Sequence, residues 1–175
     1  MTKSDLVKLG KILKFLGIDP DISNFDSRLR IQKITYILKS MGVSLSYNFN
    51  FHYYGVFSRD LQTEYYHHFN TLKDSYSDSD LDKEEIDKLN LFKKIDYLNN
   101  ETLKAISTIM YMKIVYANED EVIERTRRVK PELDHDTILL AQNTAKMLLF
   151  QRPYLTSEVN EELQVWDALN DYPIS

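Results

Sequence analysis

Few residues in this chain have the types and spacing that chemistry requires. Asp78, Asp80 and Asp82 stand at positions 1, 3 and 5 of a calcium-binding loop. The sixth position, which needs Gly for its sharp turn, is Lys83, and the twelfth, which should be a bidentate Glu, is Leu89. The run therefore reads as a solvated acidic loop. Glu64 and His68 are four apart, with His67 adjacent, so they can face one ion from one side of a helix. A metal site needs three or four ligands, and His52 and His135 are isolated in sequence, so a metal-dependent hydrolase ranks last among the readings. Arg125, Arg127, Arg128 and Lys130 could contact phosphates. Their segment opens with Glu119, Asp120, Glu121 and Glu124, and acids at the start with bases at the end are what the helix dipole favours without any ligand. Four glycines leave almost no material for a phosphate-binding loop, and no Ser lies in a nucleophile-elbow context. With no cysteine there is no thiolate nucleophile, disulfide or sulfur-bound zinc. The expectation is a protein without catalytic residues, metal or cofactor, which acts by binding.

Composition bounds what it binds. The 175 residues suit one domain, and the hydrophobic share of 43% and charged share of 28% are those of a globular protein. Apolar runs fall far short of the ~20 residues a membrane span requires. The N-terminal pattern, interrupted by Asp5, Lys8, Lys11 and Lys14, lacks the apolar core of a secretory signal, so a soluble cytoplasmic protein is expected. A formal charge of −5 places nucleic acid below protein as a partner. The 12 tyrosines, large in contact area and poor in rotamer entropy, favour recognition.

Periodicity predicts a mainly α fold of about seven to eight helices with one small antiparallel β element near residues 43–54, in a single domain over 1–175. Leu6, Leu9, Leu13 and Leu16 stripe a first helix that Gly17 ends. A second runs from a cap at Asp26 or Ser27 to Met41, with Ile31, Ile34, Leu38 and Met41 inside and Arg30, Lys33 and Lys39 pointing elsewhere. Val43, Leu45, Tyr47, Phe49, Phe51 and Tyr53 then alternate with polar residues, the clearest strand signal in the chain, with a turn within Tyr47–Asn50 as an alternative. Ser58 caps a third helix to Leu72 bearing Leu61, Tyr65 and Phe69, followed by a Ser/Asp-rich surface loop over 73–82. Further helices are expected over Lys83–Leu98 (Ile86, Leu89, Phe92, Ile95), from an Asn100 cap (Leu103, Ile106, Met110, Ile114) and over Asp120–Val129. Two more start from an Asp134 cap (Ile138, Ala141, Ala145, Leu148) and from a cap at Thr156 or Ser157.

Ile31-Gln32-Lys33 with Tyr36, the aromatic strand, Tyr54-Gly55-Val56-Phe57-Ser58 with Leu61, and Lys130-Pro131 form a set. Over about residues 5–150 the set resembles the YwgA-like uncharacterised prokaryotic proteins, which are similar in turn to the Panacea domain of SocA/GepA-type antitoxins. Val56 stands where that family has Pro. The resemblance implies a helical domain with a small β element that binds a protein directly, as an antitoxin-like or mobile-element-associated module. The expected partner is a toxin or another cytoplasmic protein, and the exposed edge of the strand suggests a homodimer as well. The contact surface is expected to combine Arg28, Arg30, Gln32, Lys33 and Tyr36 with Tyr53, Tyr54, Gly55, Ser58 and Arg59. The alternative for Gln32 is a buried hydrogen bond that secures the β element. The runner-up function is a DNA-binding regulator with winged-helix-like features, which requires Arg28, Arg30 and Lys33 to face outward together with the Arg125–Lys130 group.

Overall fold

The structure is a computed structural model that describes residues 3–74, 81–95 and 99–150. Asp78 and Asp80 and the helix expected from Thr156 or Ser157 lie outside the described residues; the helix expected to reach Leu98 ends instead at Lys93, with Lys94 as its C-cap. Within them the domain is mainly α, with one two-stranded antiparallel sheet. The helices are α1 (Lys3–Leu16), α2 (Phe25–Ser40), α3 (Arg59–His67), α4 (Phe69–Asp74), α5 (Lys83–Lys93), α6 (Asn100–Val115), α7 (Glu119–Val129) and α8 (His135–Leu149). The strands β1 (Asn50–His52) and β2 (Gly55–Phe57) form a hairpin between α2 and α3. No helix among the described residues is long and apolar enough to cross a membrane.

The apolar stripes set the packing. Leu6, Leu9, Leu13 and Leu16 are all buried and hold α1 against α3, α4 and α5. α6 buries Leu103, Ala105, Ile106, Ile109, Met110 and Met112 together with Thr102, Ser107 and Thr108, so it is covered around most of its circumference and sits at the centre. It packs on α2, α7, α8 and β2. Ala141 and Ala145 on α8 are fully buried, and their small side chains let α8 approach α6 closely. The expected stripe of α6 stops before Ile114, which is 75% exposed and lines a groove with Ser40, Leu149 and Phe150 at the ends of three helices.

Further local expectations are corrected. The cap of α6 is Asn99, whose side chain accepts from Thr102 N at 2.9 Å, and Asn100 is the first helical residue. The cap of α2 is Asn24, whose side chain accepts from Ser27 N at 2.8 Å, so Phe25 lies inside the helix rather than in the connector. The third helix breaks at His68, and α4 restarts at Phe69 to set Leu72 against the core. The long strand shrinks to Asn50–His52. Val43, Leu45 and Tyr47 are buried while Ser44, Ser46 and Asn48 are exposed, so the alternation is real. It reports which side chains face the core and not a ladder. Side chains meet this segment instead: Asp5 accepts from Ser46, Lys39 donates to the Tyr47 carbonyl, and the Tyr47 hydroxyl donates to Glu64. A backbone secured in this way can stay extended without a strand partner.

Candidate functional site

The hairpin joins two helices of opposite duties. Its loop is Tyr53-Tyr54, closed by the pair His52↔Gly55, with Phe51↔Val56 and Asn50↔Phe57 behind. The hairpin's single left-handed residue is Gly55, at φ 88°. A Cβ at Gly55 would sit 3.3 Å from Lys33 Nζ, 3.5 Å from Thr108 Oγ1 and 3.6 Å from Lys130 Cε. Conformation and space therefore both call for Gly.

Beneath the loop two ammonium groups gather its carbonyls. Lys33 Nζ donates to Tyr54 O at 2.9 Å and to Val56 O at 2.6 Å, and Lys130 Nζ donates to Tyr53 O at 2.7 Å. Gln32, one residue back on α2, grips the far end of β2. Its Nε2 donates to Ser58 O at 3.0 Å and its Oε1 accepts from Ser58 N at 2.9 Å. Ser58 Oγ in turn accepts from Leu61 N and caps α3. The buried-hydrogen-bond alternative for Gln32 is what the geometry shows.

The clamp has an electrostatic cost. Burial, with Lys130 and Lys104 nearby, brings the Lys33 ammonium from 10.5 down to about 7. Burial also lowers Lys130, partly offset by Glu132 at 3.8 Å. The carbonyl dipoles of the loop residues Tyr53 and Tyr54 and of Val56 in β2 face these two amines.

Above the clamp, aromatic side chains wall a cleft of about 420 Å³. Phe25 meets Tyr54 edge-on with centroids 5.2 Å apart, and Tyr53 meets Tyr54 at 5.1 Å and 89°. Across the cleft, Tyr66 of α3 stands beside Tyr65 at 5.1 Å. Tyr65 is buried, and that burial raises its phenol pKa. The four rim aromatics stay in the open: Tyr53 is 87% exposed, Tyr54 56%, Phe25 50% and Tyr66 50%. Arg28 lines the same cleft from α2 and donates to Ile22 O at 2.8 Å.

Of the residues singled out in the sequence, Arg28, Gln32, Lys33, Tyr53, Tyr54, Gly55 and Ser58 come together, whereas Arg30 and Arg59 do not line the cleft and Tyr36 packs instead on Phe49 and Tyr111; by exposure the set divides into two layers. Tyr53, Tyr54 and Arg59 are exposed, and Arg28 and Arg30 are half-buried. Gln32, Lys33, Tyr36, Gly55 and Ser58 are buried beneath them. Lys33, expected to point away from the buried stripe, is corrected to 2% exposed, because its amine reaches the loop carbonyls. Tyr36 packs its ring edge on Phe49 at 5.1 Å, and burial pushes its phenol up to about 12. Phe25, Tyr65 and Tyr66 were missed as cleft residues. Tyr65 carried a core signal, and Phe25 was hidden by the misplaced cap.

The remaining clusters stay with their plainer readings. Arg125 and Arg128 pair with Glu121 and Glu124 one turn earlier at 3.7 and 3.9 Å, and Arg127 reaches His135 Nδ1. Lys130 has left that group for the loop. Glu64 accepts from Tyr47 at 2.7 Å, a contact that, after burial, helps raise the Tyr47 phenol pKa. Among the described residues no three potential ligands gather around one point. No family model, curated protein or solved structure matches the chain.

Proposed function

We propose that this domain is a protein–protein interaction module, antitoxin-like or mobile-element-associated, that acts by direct binding and not by catalysis. One observation carries the reading. A two-residue loop held from below by Lys33 and Lys130, with Gln32 securing the far end of β2, displays Tyr53 and Tyr54 beside Phe25 and Tyr66. Exposed aromatics on a fixed backbone lose little entropy on docking, and such residues dominate interface energetics. The likeness to antitoxin domains supplies the class of partner, a toxin or another cytoplasmic protein.

The DNA-regulator reading needs an outward cationic surface. Lys33 and Lys130 are buried, which removes much of that surface. Affinity capture from the host compares the wild type with a Tyr53→Ser/Tyr54→Ser double variant. The wild type is expected to retain a stoichiometric protein and the double variant to lose it at unchanged melting temperature. Equal recovery by both would remove this surface from the function.

A further inference from the structure

We infer that the aromatic cleft receives a short acidic segment of the partner carrying one large apolar or aromatic side chain. The inference rests on the binding reading above and adds the chemistry of what is bound. Size comes first. About 420 Å³ lies within the span of pockets that enclose a small ligand, so the cleft takes a side chain or two and not a broad face. Shape comes second. Phe25, Tyr54 and Tyr66 present ring faces and edges about the opening, and Tyr65 lies buried at its base, an environment that desolvates an apolar anchor.

Charge decides the flanks. The described lining residues include Arg28, Lys33 and His52 but no carboxylate, on a chain with five more acids than bases. Asp21, whose pKa is lowered by hydrogen bonds from Ser23 and Ser27 and to a lesser degree by the Arg28 charge, lies on the neighbouring connector and does not line the cleft. A carboxylate on an incoming segment would meet the Arg28 guanidinium and the rim tyrosine hydroxyls, whereas an ammonium would meet Arg28 as a like charge. Aromatics beside a cation also suit single-stranded nucleic acid, but a phosphate track needs a row of outward cations. Here Lys33 is buried under the loop, leaving Arg28 as the lining Arg or Lys that is more than slightly exposed.

Fluorescence anisotropy on the full chain tests this with a labelled peptide in which one tryptophan is flanked on each side by two glutamates. Saturable binding is expected, weakened at least about tenfold when lysines replace the glutamates, when alanine replaces the tryptophan, or when the protein carries Tyr54→Ala. Tyr54 is exposed, and an unchanged melting curve for that variant keeps the comparison on the surface. Equal affinity for the acidic and basic peptides would overturn the inference, as would binding indifferent to Tyr54→Ala or a preference for an oligothymidylate strand. Failure of the acidic peptide to bind, while affinity capture still depends on Tyr53 and Tyr54, would sink the inference and leave the binding reading standing. Loss of both results would sink both.

Discussion

At the scale of single residues, the hairpin depends on side chains that its own strands do not contain. Gln32 satisfies both backbone groups of Ser58, a residue with no exposed surface. Gln32→Leu keeps the volume but leaves the buried Ser58 N–H unpaired, while the Ser58 carbonyl keeps the Gln62 N–H at 3.1 Å, and a cost of roughly 1–3 kcal/mol is expected from that one orphan. Chemical denaturation followed by circular dichroism measures it. A loss below the noise of the method would mean that Ser58 is held by other contacts. Lys33 gives a pH signature. Its folded value of about 7 lies below the ordinary 10.5, so between these values the unfolded chain binds a proton that the folded chain has released. Stability then rises with pH through that window, by at most about 1.4 kcal/mol per unit. Above about pH 10 the sign reverses, because Tyr36, Tyr47 and Tyr65 keep their protons in the fold longer than in the unfolded chain. Lys33→Met is expected to flatten the rise between pH 7 and 9.5. A variant with the wild-type pH slope would assign that slope to other groups.

At the scale of elements, the departure from the resembled family at Val56 has a geometric reading. The pairs on either side, His52↔Gly55 and Asn50↔Phe57, are the hydrogen-bonded ones, so Phe51↔Val56 is the open pair of the ladder. In agreement, the Val56 carbonyl faces Lys33, and its N–H points the same way, off the sheet. A proline there takes no ladder bond. Val56→Pro is expected to fold with the hairpin intact and to lower the melting temperature less than Gln32→Leu does. A larger loss would show that β2 uses the Val56 N–H.

The elements also show what was legible beforehand. Leu6, Leu9, Leu13 and Leu16, the Ser58 and Asp134 caps and the stop at Gly17 are local signals, and each is where the pattern put it. The extended run from Val43 carried the right faces but no trace of whether a partner strand existed. Lys130 meeting Tyr53 across 77 residues leaves no local mark, since a cation that reaches inward is written like one that reaches outward. For the same reason the candidate site was found as a neighbourhood, while its division into a buried clamp and an exposed rim was not.

At the scale of the whole molecule, one hairpin couples the helical core to the proposed recognition surface. α6 packs against β2, Lys33 and Gln32 of α2 hold Tyr54, Val56 and Ser58, and Lys130 holds Tyr53, so the exposed aromatics stand on a backbone tied to the buried core. Such a mount favours a partner that meets a formed surface, with little rearrangement of this chain on binding. A homodimer through the outer edge of β1 would draw on three residues of strand, and light scattering at high protein concentration is its test.

The most direct measurement of the central claim is site-specific photocrosslinking in the producing cell. A benzoylphenylalanine is placed at Tyr53 in one strain and, in another, at Leu139, which is 41% exposed on α8. A discrete protein adduct formed from Tyr53, absent from Leu139 and diminished when Tyr54 is also changed to Ser, is the expected result. Adducts of equal yield from both positions, or from neither, would contradict the assignment of the clamped hairpin as the binding surface.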